Sequence, residues 1–400
     1  MNSRKRLAII AIATSALFVS TTPAFAGSID GSGATFALPL IDACKGDFTA
    51  AKGHTVNYPG GGSGKGRTDF AANLVDFAGS DAPYSSGEPS NLVYAPIYAA
   101  PIAITYNLPT VKESIYLSPA TLAGIFKGEI TNWNDDEIAA DNEQTIKTPN
   151  YATKVVSVKT TTIDKKTKKK KTITTEKTVP ALDESGKAIV ASYDTKKVKI
   201  DFPSQKITVW FRSDSSGTTE NFTRFLKGAN AANPRNWSQT QNAVFVNSLP
   251  SSALLYNFQG ASGSAAVAAG VKSKVGSITY TELSFATDNG LPVANIQNAA
   301  GEFVEPSAAG TSIFLGGGTI NSNGTVSVDF AKKLPGAYPL GTTSYGMGYS
   351  SGKDTAKQAI VRDWFTYLLE QCPTKYPSKG FSQITGPLAT KAKEQIAKIK

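Results

Sequence analysis

Ile207-Thr208-Val209-Trp210-Phe211-Arg212-Ser213-Asp214-Ser215-Ser216-Gly217-Thr218-Thr219 passes from β-branched and aromatic residues to hydroxyls and a glycine within a few positions. The apolar run reads as a strand, and Thr219 to Lys227 then shows the spacing of a helix. Strand, polar turn and helix in that order form the repeating unit of α/β sheets. The same order recurs along the chain. Val56-Asn57-Tyr58, Val75-Asp76-Phe77, Ile102 to Tyr106 and Gly276 to Tyr280 read as further strands. Pro39 to Ala51, Lys65 to Leu74, Ser118 to Phe126, Ser262 to Lys272 and Lys353 to Gln371 read as helices. The alternation predicts an α/β protein whose sheets are covered by helices on both faces.

The first residues carry a different message. Arg4-Lys5-Arg6, an apolar run from Leu7 to about Val19, and Ala24-Phe25-Ala26 have the charge, apolar core and small-residue cleavage site of a signal peptide. Residues 1–26 are expected to be removed, leaving Gly27 as the first mature residue. Gly27 stands where a lipid-anchored exported protein would need Cys. A periplasmic or extracellular protein without a lipid anchor is the expectation. A mature chain of this length has room for two domains.

The net charge of +10 is concentrated rather than spread. Between Lys147 and Lys199 stand 14 Lys against Asp164, Glu176, Asp183, Glu184 and Asp194. With this stretch and the signal peptide set aside, the remainder is close to neutral, which argues against a nucleic-acid binder. Val155 to Ile163 and Thr172 to Thr178 flank the charged run Asp164 to Lys171, and together they read as a protruding β-hairpin, with a second turn at Asp183 to Lys187. Its lysines suit contact with an anionic cell surface, a lipid headgroup layer or a transporter. They equally suit a solvated edge that resists sheet-to-sheet association, and charge runs generally solvate.

Four stretches combine glycine and hydroxyl side chains with predicted helix starts. They are Gly31-Ser32-Gly33-Ala34-Thr35-Phe36; Gly60-Gly61-Gly62-Ser63-Gly64-Lys65-Gly66; Asp76-Phe77-Ala78-Gly79-Ser80-Asp81-Ala82-Pro83; and Arg212 to Thr219. The second is not a nucleotide-binding P-loop, since Gly66 follows Lys65 where that motif needs Ser or Thr. Exposed N–H groups at helix starts, hydroxyls and one guanidinium are the parts of an oxyanion site.

In this order the stretches resemble the periplasmic phosphate-binding protein family, the phosphate-specific substrate-binding proteins of bacterial ABC importers. The similarity runs from Gly31 to the C-terminal helix and includes Ile130 to Ile138, Gly276 to Tyr280 and Tyr338 to Thr343. Only the lysine-rich segment lies outside it. The resemblance implies a two-lobed periplasmic-binding-protein-like (type II) fold with two hinge strands, closing over one dehydrated phosphate. Lobe one would comprise 27–103 and 284–400, and lobe two 104–283 with the inserted hairpin at 147–199. The implied ligand contacts are Thr35, the Phe36 N–H, Ser63 and Asp81 from one lobe, and Arg212, Ser216, the Gly217 N–H and Thr218 from the other. Two positions depart from the family pattern: Gly64 stands where a second serine is common, and Ser215 where glycine is common. The implied partner is a membrane permease of an ABC importer, and the implied state is a monomer without cofactor.

Chemistry supports the assignment of Asp81. Near neutral pH, phosphate is largely a dianion that keeps one O–H donor, because its second pKa lies at roughly 6 to 7. An ionised carboxylate only accepts hydrogen bonds, so it pairs with that proton and repels sulfate, which has none. Rival classes are a secreted phosphatase and a surface adhesion or scaffold protein. Phosphatases use metal clusters or a nucleophile beside a base, and the single His54 lies outside the four stretches. Cys44 and Cys372 are a candidate disulfide in an oxidising compartment, or two separate buried thiols, since sequence does not give their distance.

Overall fold

Leu92–Tyr106 forms a single 15-residue strand with every residue after the first buried, and the rest of the molecule is arranged around it. The protein is described by a computed structural model. The structure describes residues 27–143, 145–163, 170–183, 187–197, 199–232, 237, 239–249, 257–376 and 381–400. The signal-peptide assignment and the tip at 164–169 lie outside these residues, as do 184–186 of the expected second turn.

The long strand changes partner midway. Residues 92–101 pair antiparallel with Gly341–Tyr349, the return strand, and Ile102–Tyr106 pair antiparallel with Ser277–Glu282. Beyond the return strand come Phe77–Ser80, Ser28–Gly33 and Thr55–Asn57; beyond Ser277–Glu282 come Thr208–Arg212 and Phe258–Ala261. The eight strands therefore form two half-sheets that share one strand, which is the two-lobed arrangement expected. Outer strands within each half run parallel and are joined by helices, as parallel strands require. The run Leu-Val-Tyr-Ala-Pro-Ile-Tyr-Ala-Ala-Pro-Ile-Ala-Ile-Thr-Tyr is apolar on both faces because helices cover both.

Two prolines sit inside the long strand where a ladder would ordinarily exclude them. Pro101 lies opposite Gly341 at the last pair before the partner changes, and Pro96 lies at a register shift where Ile97 is skipped. Both positions are irregular, so the missing N–H costs little. The sequence reading recognised only Ile102–Tyr106 for this reason.

Helix Leu38–Lys52 buries Leu40, Ile41, Cys44 and Phe48, and Phe48 meets Trp364 of helix Thr355–Glu370 at 5.0 Å between ring centroids. Cys44 and Cys372 are joined in a disulfide with Cα atoms 5.9 Å apart. In the other half Phe126, Phe222 and Tyr280 stack with centroids 4.4 to 5.8 Å apart.

Residues after 284 do not go straight to the first half. Ala294 donates to Ile104 O and Asn295–Gln297 pairs parallel with Tyr116–Leu117, so a short excursion past the expected 283/284 boundary packs on the second half. In the insertion, Thr145–Tyr151 pairs with Val190–Lys197 and Thr153–Ile163 with Lys170–Pro180, both antiparallel. Among the described residues no helix is long and apolar enough to cross a membrane.

Candidate functional site

Four helices begin where the two halves meet: Leu38–Lys52, Ser63–Ala71, Gly217–Ala229 and Ser264–Ser273. Three of them have no side-chain cap at the N-terminus, leaving backbone N–H groups of the first turn for an anion. The fourth is capped by Ser216, whose Oγ accepts from Thr219 N at 3.1 Å. Each helix follows a strand end through a glycine or hydroxyl turn, which is what the repeated strand-turn-helix order dictates.

Asp81 lies at the centre, just past strand Phe77–Ser80, and is 2% exposed. Its Oδ2 accepts from Ser63 Oγ at 3.3 Å and Thr218 Oγ1 at 3.4 Å, and its Oδ1 accepts from Ser344 Oγ. Burial raises its pKa to about 6, held from rising further by Ser344, Arg212, Ser63 and Thr218. Burial and the surrounding donors thus oppose each other in setting its charge. Asn221 donates to the Asp81 carbonyl at 2.7 Å.

Arg212, also 2% exposed, ends its strand with the guanidinium clasped by Asp214: Nε donates to Oδ1 at 2.7 Å and Nη2 to Oδ2. The remaining Nη1 donates to Ser264 Oγ at 3.1 Å. Burial would push the Asp214 carboxyl up, but the Arg212 fork and the Gly263 N–H bring it below the usual range. Arg212 is therefore fixed in orientation, its charge shared with Asp214, and the uncapped helix N-termini add partial positive charge to the cleft.

The predicted residues converge. Thr35 Oγ1 lies 3.1 Å from Ser264 Oγ and accepts from Ser264 N at 3.2 Å, and Ser264 links it to Arg212; Phe36 follows Thr35 and packs on Tyr98 at 5.8 Å between ring centroids. Gly217 lies so close to Ser63 and Asp81 that an added Cβ would fall 2.5 Å from Ser63 Oγ and 2.9 Å from Asp81 Cβ. A side chain there would wedge the halves apart. His54 lies elsewhere, accepting from Gly27 N at 3.1 Å.

The cleft is closed. Gly64 N donates to Ser215 O at 2.9 Å, and Arg67 pairs with Glu220 at 3.3 Å across the halves. The two departures from the family pattern face each other here, since a Cβ on Gly64 would fall 2.1 Å from Ser215 Oγ. Bulk removed from one side of the contact is present on the other.

Sequence reading missed Ser264, Asp214 and Ser344. Ser264 had a signal: Ala261-Ser262-Gly263-Ser264 repeats the strand, glycine, hydroxyl and helix order of the other stretches. Asp214 stood inside a quoted stretch. Ser344 had none, being 263 positions from Asp81.

The chain is similar to known proteins in sequence and in fold. A family model described as a PBP superfamily domain matches residues 19–371. Phosphate-binding protein PstS 3 of Mycobacterium tuberculosis (strain ATCC 25618 / H37Rv) is 30% identical over 327 residues, 78% of this chain and 70% of that protein. Phosphate-binding protein PstS of Xylella fastidiosa (strain Temecula1 / ATCC 700964) is 28% identical over 367 residues, 88% of this chain and 81% of that protein. In fold, the chain is similar to a high affinity periplasmic phosphate-binding protein (PfluDING) solved with phosphate, with TM-score 0.63 and 22% identity over 92% of this chain and 93% of that one. It is similar also to the phosphate-binding protein of Stenotrophomonas maltophilia, with TM-score 0.59 and 20% identity over the same shares. On the strength of the superfamily match and these relatives, the chain belongs to the PBP superfamily and, within it, to the family of the PstS phosphate-binding proteins.

Proposed function

We propose that this protein captures hydrogen phosphate between its lobes outside the cytoplasm and delivers it to the membrane permease of an ABC importer. The observation that carries this reading is a buried carboxylate, Asp81, ringed by hydroxyl donors. Thr35 and Ser216 hydroxyls, the Phe36 and Gly217 N–H groups and Arg212 Nη1 serve the acceptor oxygens of the anion, joined by the Ser63 and Thr218 hydroxyls, which turn to it from the Asp81 carboxylate. Asp81 takes the phosphate's own proton. A site built for that one hydrogen bond rejects a ligand lacking it by a factor of about 10⁴ to 10⁵, which sets sulfate apart and leaves arsenate, also protonated, as a competitor. Because the ligand touches both lobes only when they are closed, it stabilises the closed form.

The family is one of substrate-binding transport proteins rather than enzymes, and we propose that this member has no turnover on phosphate esters. Export through residues 1–26, a soluble mature chain from Gly27 and a monomeric state belong to the same reading. So does the division into 27–103 with 284–400 against 104–283, apart from the excursion of 293–304. The insertion at 147–199 is proposed as an accessory contact with anionic surfaces: it is lysine-rich and bears exposed Val155, Leu182 and Tyr193. A chain lacking 148–199 that keeps full phosphate affinity would support an accessory role; weakened affinity would exclude it.

Equilibrium dialysis of the chain from Gly27 with radiolabelled phosphate tests the main proposal. Retention of label, displaced by arsenate and not by sulfate, is expected. No retention would overturn it.

A further inference from the structure

We propose that Ser344 is a specificity-determining residue, whose hydroxyl keeps the Asp81 carboxylate ionised and fixed as an acceptor so that protonated anions are admitted and unprotonated ones refused. This rests on the reading of the cleft as a phosphate site and adds to it a residue from outside the four ligand stretches.

The placement follows from strand register. The return strand pairs with Phe77–Ser80 as Tyr345 with Ser80, Gly346 with Gly79 and Met347 with Ala78. One step further along the same register sets Ser344 opposite Asp81. On its other edge Ser344 pairs with Tyr98, immediately before the register shift that skips Ile97. Irregular steps of this kind re-aim side chains and cluster beside functional sites. Here the hydroxyl is buried and donates to Asp81 Oδ1. The other hydroxyl donors, Ser63 at 3.3 Å and Thr218 at 3.4 Å, share Oδ2, so Ser344 is the hydroxyl on Oδ1.

The groups facing Asp81 leave its charge dependent on such donors. Arg212 is engaged by Asp214. Arg224, which lines the small cavity against Asp81 with Thr343 and Tyr345, donates to Asn221 Oδ1. Around them stand the buried phenols of Tyr58, Tyr98 and Tyr345, whose own ionisation the Asp81 charge opposes. The second carboxylate of the cleft, Asp214, is taken up by Arg212, and among the hydroxyls Ser344 does most to hold the Asp81 carboxyl down.

The test compares wild type, Ser344→Ala and Ser344→Thr by competition titration of phosphate and sulfate from mildly acidic to mildly basic pH. In wild type, sulfate competes only once Asp81 takes up a proton and becomes a donor. Loss of a hydrogen bond to a charged group should raise the pH midpoint for sulfate entry by about one to two units in Ser344→Ala. Ser344→Thr, which keeps the hydroxyl, should restore the wild-type midpoint. If Ser344→Ala does not fold, Ser344→Cys, a weaker donor, carries the same test with the same sign. Coincident midpoints, or an equal loss of affinity for both anions, would overturn the assignment. Failure of wild type to bind phosphate would instead overturn the function on which it rests, so the two failures are distinguishable.

Discussion

At the residue scale the cleft is governed by charges that cannot be hydrated. Arg212 illustrates the cost: it is buried and pairs with the partly buried Asp214, the fork fully used on one side. Arg212→Ala leaves the Asp214 carboxylate partly buried without its partner and should weaken phosphate binding by about 2–5 kcal/mol, measured by titration, with Arg212→Lys recovering only part because lysine lacks the planar fork. Two buried carboxyls also set a pH dependence. Burial raises Asp81 to about 6 from 3.8, and Glu282, which accepts from Tyr98 and caps helix Leu283–Asp288, to about 7 from 4.5. Unfolded, both ionise at the lower values, so between the two sets the folded chain binds more protons. Their contribution to stability is therefore full below the unfolded values and is lost as pH rises through about 6 and about 7. Thermal melts of ligand-free protein should show the melting temperature falling across that window; a rise would contradict the burial of both groups. Thr35, Ser63, Arg212 and Thr218 were legible because each lies in a local pattern of glycine, hydroxyl and helix start; Asp81 has the glycine and hydroxyl but is followed by a loop into strand Leu92–Tyr106 and not by a helix. Ser344 was not, because only strand register brings it to Asp81.

At the element scale the informative contact is between the turn at Gly62–Gly64 and the turn at Ser215–Gly217. Gly64→Ser alone should hinder closure and weaken phosphate binding, since the new Cβ meets Ser215 Oγ. Combining it with Ser215→Gly should recover most of the loss, and a double-mutant cycle on affinity measures the coupling. Independent, additive effects would show that the two turns do not meet in the bound state. Helices were read well from the sequence, because apolar spacing survives in Leu38–Lys52 and Gly217–Ala229 whatever their surroundings. Strands were read less well. Ser28–Gly33 has the sequence Ser-Ile-Asp-Gly-Ser-Gly, poor in strand formers, and is held by neighbours on both edges. Gly341–Tyr349 is likewise rich in glycine and is buried throughout. Tertiary pairing overrides local propensity at both places.

For the whole molecule, the long strand Leu92–Tyr106 is shared by both half-sheets, and a strand that runs through both lobes is where a hinge between open and closed forms is expected. The disulfide acts on one side of that hinge only, tying helix Leu38–Lys52 to the C-terminal helices across a sequence separation of 328. Replacing both cysteines by serine should lower unfolding stability by about 2–5 kcal/mol in denaturant titrations while leaving phosphate affinity unchanged. A matching loss of affinity would mean that the bond shapes the cleft. Strand-helix alternation made the α/β class legible and length allowed two domains, while the two-lobed architecture came from the family resemblance. The excursion of 293–304 onto the second lobe was not, because its strands are two or three residues long and carry no periodic signal.

Calorimetric titration of the chain from Gly27 with phosphate and with sulfate, at a pH above the titration of Asp81, tests the central claim most directly. Phosphate should bind with a preference of about 10⁴ to 10⁵ over sulfate, and Asp81→Asn should collapse that preference. Comparable binding of both anions by the unaltered protein would contradict the account.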